Sequence, residues 1–184
     1  MGIARNIARL IPNGSGLLPN ANIEAVAATK LTGILPDANA PSGSVIQVVE
    51  ASRTTPLSFT TVFPTHTSFI SGSITTTIAN SKVLVLCNVP VYVAGSGGTW
   101  SIAQYFKMLQ NGSLCRQYEH NGPNSGSEQC STWEFQHLTA AQSVGTYTFS
   151  MEASIVGSTG TVTIARTVDS NATKVSLLMM EIAP

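Results

Sequence analysis

Over its last forty residues the chain repeats its apolar side chains with a period of two. Tyr147, Phe149 and Met151 keep the alternation, Val162 and Ile164 continue it, and Val175, Leu177 and Met179 carry it into an apolar C-terminal stretch. A period of two belongs to a half-buried strand, whose side chains point to opposite faces in turn. A helix would need apolar residues three and four apart. A chain that closes on such a strand is expected to finish inside a sheet.

The same character runs back to Gly43. Expected strands are Ser44–Glu50, Leu57–Phe63, Ser68–Ile78, Lys82–Val93, Trp100–Leu109, Trp133–Leu138, Thr146–Val156, Thr161–Val168 and Thr173–Ile182. Val83 to Val89 is almost continuously apolar and makes Lys82–Val93 the strongest strand signal in the chain. Pro90 interrupts it and predicts a bend or an edge there. In the Trp100–Leu109 stretch, Tyr105, Lys107 and Leu109 are expected on one face and Phe106 and Met108 on the other. Asn111-Gly112 is the strongest hairpin signal in the chain, since both residues tolerate the positive φ of a tight turn. Eight or nine short strands separated by polar turns predict an all-β, jelly-roll-like β-sandwich over residues 41–184.

Residues 1–40 read differently. Pro12 stops a short helical pattern, and glycine and asparagine follow it. Gly16-Leu17-Leu18-Pro19-Asn20-Ala21-Asn22 is echoed seventeen residues later by Gly33-Ile34-Leu35-Pro36-Asp37-Ala38-Asn39. Two copies do not make a solenoid. They predict an extended N-terminal arm with repeated docking points, Ile7, Leu10, Leu17, Leu18, Leu31 and Leu35 being its candidate anchors. Such apolar residues need a partner's surface.

Composition narrows the function. Apolar residues make up 43 %, enough for a sizeable core. Charged residues are only 10 % of the chain, against about 25 % in ordinary domains. Polar surface must come from Ser, Thr, Asn and Gln, which suits a protein largely covered in an assembly. Nine basic residues balance nine acidic ones, and none cluster. That speaks against a nucleic-acid partner, whose phosphates call for Lys and Arg. No apolar run reaches the ~18 residues of a membrane-spanning helix, so no membrane insertion is expected.

Chemistry is faint. The three cysteines, Cys87, Cys115 and Cys130, leave two readings: free thiols in a reducing compartment, or a Cys115–Cys130 disulfide closing a polar loop. Cys87 reads as a buried strand residue. Cys115, His120, Cys130 and His137 can be written as a zinc set, but spacings of five, ten and seven include no close pair. Glu119, Glu128, Glu134 and Glu152 offer no spacing that selects an acid–base pair. No catalytic residue, metal ligand or cofactor is assigned, and no enzyme activity is expected. The richest surface is the expected polar loop Arg116–Cys130 with Trp133 beyond it. Arg116, Tyr118, His120, Asn121 and Trp133 are the candidate contact residues, aromatics and amides that suit sugar or protein.

Three passages carry a resemblance: Gly43-Ser44-Val45-Ile46-Gln47-Val48-Val49, the Ser73–Val89 segment with Ser81-Lys82-Val83-Leu84-Val85-Leu86, and Leu177-Leu178-Met179-Met180-Glu181-Ile182-Ala183. In these the chain resembles a widespread family of small β-structured virion proteins of tailed bacteriophages, common in marine and cyanobacterial phages (cyanophages). Lys30-Leu31-Thr32-Gly33-Ile34-Leu35-Pro36 looks like the stem-leading segments of phage fibre proteins. The resemblance implies a homotrimer anchored by its N-terminus to capsid or tail proteins. Its body would project as a tail fibre, capsid fibre or decoration for host attachment, assembled in the bacterial cytoplasm. The alternative is a free carbohydrate-binding module or lectin.

Overall fold

The alternating residues do form sheets. The computed structural model describes residues 40–60, 62–95, 103–121, 129–156, 160–166 and 172–184, so the expected arm lies outside the described residues. Among the described residues ten strands follow in order: β1 (Val45–Arg53), β2 (Leu57–Phe59), β3 (Thr67–Thr76), β4 (Lys82–Gly95), β5 (Ala103–Gln110), β6 (Ser113–Asn121), β7 (Gln129–Leu138), β8 (Gly145–Val156), β9 (Gly160–Ile164) and β10 (Val175–Ile182). They form an all-β sandwich of two sheets with a jelly-roll-like architecture. The larger sheet runs β1-β10-β4-β9-β2, with β7 on the other side of β4; the smaller runs β3-β8-β5-β6.

β4 is the spine of the larger sheet. On one side it pairs along β7 from Leu84 to Val93. On the other it pairs with β10 as far as Asn88, then with β9 from Val91. Pro90 stands where the partner changes. Its carbonyl accepts the Ala165 N–H at 3.0 Å. An N–H on Pro90 would point to the same side, into the gap between β10 and β9, so the missing donor costs no ladder bond.

The core lies between the sheets. Val83, Val85, Cys87, Val89 and Val91 of β4 and Val175, Leu177 and Met179 of β10 face Phe69, Ile74, Phe106, Met108, Phe149 and Met151, all buried. Aromatic rings cross it in a relay. Phe69 meets Phe106 edge-on at 6.1 Å, Phe106 meets Phe135 at 5.0 Å, and Phe135 meets Tyr118 at 4.7 Å. The sheets approach closely at Gly72 of β3, where an added Cβ would lie 2.7 Å from Met179 Cε and 2.8 Å from Ala51 Cβ.

The hairpin reading holds. Asn111 (φ 51°) and Gly112 (φ 80°) form a two-residue turn between β5 and β6. The expected faces of β5 hold too: Phe106 and Met108 are buried, while Tyr105, Lys107 and Leu109 are half-buried on the other side. The expected loop from Arg116 to Cys130 is overturned. Residues up to Asn121 belong to β6 and those from Gln129 to β7, leaving only 122–128 outside the described residues. β6 is a sheet edge with one neighbour, so an outward row such as Gln117 and Glu119 stays polar.

Candidate functional site

The sequence's contact candidates are set on two strands. Arg116 and Tyr118 share the face of β6 that turns toward the sandwich interior, and Trp133 lies on the inner face of β7, packed half-buried against the core. The side chains of His120 and Asn121 lie outside the described residues. Tyr118 stacks on Phe135, and its hydroxyl donates to the Gln136 carbonyl at 2.9 Å, tying β6 to β7. Trp133 Nε1 donates to Ser131 Oγ at 2.7 Å. Burial raises the Tyr118 phenol against the opposing charge of Arg116. Burial, then Arg116, lowers the His137 imidazole, which favours its neutral form. Of these side chains it is Tyr118 that joins the two sheets, from β6 to β7.

The thiols do not pair. Cys87 is buried, and desolvation pushes it up to about 12. Cys115 is half-buried and Cys130 exposed, and neither is in a disulfide. Among the described residues no three His, Cys, Asp or Glu side chains gather as a metal site. No helix there is long and apolar enough to cross a membrane.

Two surfaces escaped the sequence reading. On the smaller sheet, Phe63 is 45 % exposed and lies over Tyr105 at 5.1 Å, with His66 edge-on to Phe63 at 5.9 Å. A hydrogen bond to Glu119, with some desolvation, raises the Tyr105 phenol. Phe63 and Tyr105 are 42 residues apart, so no local pattern joins them.

The second surface is the outer face of the larger sheet. Its register sets side chains in rows across β1, β10, β4 and β7: Val48–Met180–Leu84–Leu138, then Glu50–Leu178–Leu86–Gln136, then Ser52–Ser176–Asn88–Glu134. The first row is wholly apolar, with Val48 54 % and Leu138 52 % exposed. Ile182 and Lys82 extend the face beyond it. The β10, β4 and β7 members of the two later rows line a groove of about 400 Å³. Its rim carries Asn88, Glu134, Gln136 and Ser176 above Leu86 and Leu178. The even positions of β4 and β10 signal this face, because in Leu84, Leu86, Leu178 and Met180 the row that should be polar is apolar as well.

Neither a family model nor a curated protein matches the chain. It is similar to the insecticidal delta-endotoxin Cry8Ea1 from Bacillus thuringiensis, at 14 % identity and a TM-score of 0.37, over 69 % of this chain and 19 % of that one. It is similar to dimeric latent PorU from Porphyromonas gingivalis, at 10 % identity and a TM-score of 0.38, over 78 % of this chain and 14 % of that one. It is also similar to the D431N mutant VP2 protein of infectious bursal disease virus, at 13 % identity and a TM-score of 0.36, over 83 % of this chain and 40 % of that one. The chain spans less than half the length of each of these structures. Likeness this distant adds nothing to the fold read from the two sheets, and what those proteins do is said of them alone.

Proposed function

We propose that this chain is a structural component of a tailed-bacteriophage virion: a tail-fibre, capsid-fibre or decoration protein. Residues 1–40 hold it to neighbouring virion proteins, and the β-sandwich projects, assembled in the host cytoplasm and open to the host surface. The observation that carries this reading is the apolar row Val48–Met180–Leu84–Leu138 on the outside of a chain with only 10 % charged residues. A free monomer keeps such surfaces small and its charge high; a part packed among copies and neighbours needs neither. The role involves no reaction and no cofactor.

A density map of the intact particle, traced through residues 1–40, tests it. The expected result is the arm seated in a capsid or tail protein with the body outside. Purified particles that lack the chain would overturn it. The second reading, a free carbohydrate-binding module, is favoured by the exposed Phe63 ring over Tyr105, a surface on which a sugar can stack.

A further inference from the structure

We infer that the outer face of the β1–β10–β4–β7 sheet is where a second copy of this chain docks, with its strands reversed about a two-fold axis. The pairing does not depend on where the chain sits in a particle.

The face has a ridge at one end and a hollow at the other. The ridge is the Val48–Met180–Leu84–Leu138 row with Ile182 beyond it. The hollow is the groove of about 400 Å³ over Leu86 and Leu178. A two-fold axis lying between two facing copies, and crossing the strands at the level of Val85, exchanges the ends. It sets Leu84 and Met180 of one copy over Leu86 and Leu178 of the partner subunit, ridge into hollow, twice.

Charge follows the same symmetry. Lys82 stands exposed beside Ile182 at the ridge end, and Glu134 stands exposed beside Asn88 at the groove end. Among the described residues neither side chain has an ion pair or a hydrogen bond, whereas Glu50 on the same face is taken by Lys174. The Lys82 and Asn88 levels are six positions apart along β4. The axis at Val85 is equidistant from both, so Lys82 of each copy comes opposite Asn88 of the partner subunit, with the partner's Glu134 one strand, about 4.8 Å, to the side. Packed sheets stand about 10 Å apart, a gap that an extended lysine and glutamate span together. A face that presented one sign of charge would repel its own copy; this one presents each sign where the two-fold needs the other.

Four strands about 4.8 Å apart and seven residues at ~3.4 Å give a footprint of roughly 450 Å² per copy. The pair covers about 900 Å², which belongs to weak, reversible association. The expected state is therefore a dimer that forms as concentration rises.

Sedimentation equilibrium of the full chain, from micromolar to millimolar, provides the test. The expected result is a monomer–dimer equilibrium that Leu84→Asp abolishes. Lys82→Glu and Glu134→Lys should each weaken it about tenfold, since each leaves like charges facing one another at two places. The Lys82→Glu/Glu134→Lys double variant should return to within about twofold of the unaltered chain. All three charge variants alter exposed side chains, so their folding is expected to be intact, and a melting curve checks it. A monomer at every concentration, a trimer, single variants without effect, or a double variant that stays weak would each overturn the pairing. A chain found on particles yet monomeric in solution would remove this pairing and leave the virion reading standing.

Discussion

Gln47 and Glu181 face each other across the β1–β10 ladder, and their side chains join inside the sandwich, Gln47 Nε2 donating to Glu181 Oε2 at 2.6 Å. The carboxylate also accepts from the Thr77 N–H at 2.8 Å, the Ile78 N–H at 3.1 Å and the Thr77 hydroxyl at 3.2 Å. It thereby fastens the segment after β3 to β1 and β10. Glu181 is fully buried, and no cation is paired with it among the described residues.

Burial pushes the Glu181 carboxyl up, and the hydrogen bonds from Gln47, Ile78 and Thr77 together outweigh it, so the net shift is downward. A lowered folded-state value means that the contribution is complete above the unfolded carboxyl range, near 4.5. It is lost as pH falls through the folded value. Urea denaturation from pH 7 to pH 3 should show stability level near neutrality and falling in acid. Glu181→Gln should cost about 1.5–3 kcal/mol at neutral pH, because its amide sets a donor against Gln47, and should flatten the acid slope.

At Gly72 the two sheets leave no room for a side chain. Replacement by Ala puts a methyl against Ala51 Cβ and Met179 Cε. The Met179 methyl can swing away, but Ala51 moves only with β1. Gly72→Ala should destabilise by about 1–3 kcal/mol, read as a lower urea midpoint with an unchanged slope.

Tyr118 has a structural role that can be separated from any contact role. Tyr118→Phe keeps the ring on Phe135 and removes the bond to the Gln136 carbonyl. The expected cost is about 0.5–1.5 kcal/mol. Tyr118→Ala also removes the ring at the end of the relay and, from a half-buried position, should cost about 2–3 kcal/mol. Denaturation curves of the two variants compare them.

The thiols should react in order of access. Cys130 is exposed, Cys115 is half-buried with its thiol raised by desolvation, and Cys87 is buried at about 12. Labelling the native chain at pH 8 with a chromogenic disulfide should release one equivalent quickly and a second slowly. The third should appear only on unfolding. Three fast equivalents would mean that the β4–β7 region opens readily.

Much of the fold was legible because burial on one face writes a period of two into the chain. The Asn111-Gly112 turn and the two faces of β5 are local features, and local chemistry announced them. Other features depend on neighbours that sequence does not display. Phe69 and Ile70 are adjacent yet both buried, because β3 bulges against β8 between Ser68 and Ile70. β6 looked like a loop because an edge strand keeps polar residues on its open row. Pro90 was expected at a bend or an edge, and it stands at a change of partner inside the central strand. Glu181 falls at an inward position of β10, in phase with Val175, Leu177 and Met179. That phase was readable; the four donors waiting for it were not.

β10 lies between β1 and β4, so the last strand of the body fills a slot between the first and the fourth. A ribosome makes those two strands long before their shared neighbour. Until residue 182 emerges, β1 has no ladder partner among the described strands, and Val175, Leu177 and Met179 are missing from the core. The body is therefore expected to close only after synthesis has passed its final strand. A nascent chain stalled before Val175 should stay open to protease, and the interval before closure is when a chaperone would matter most.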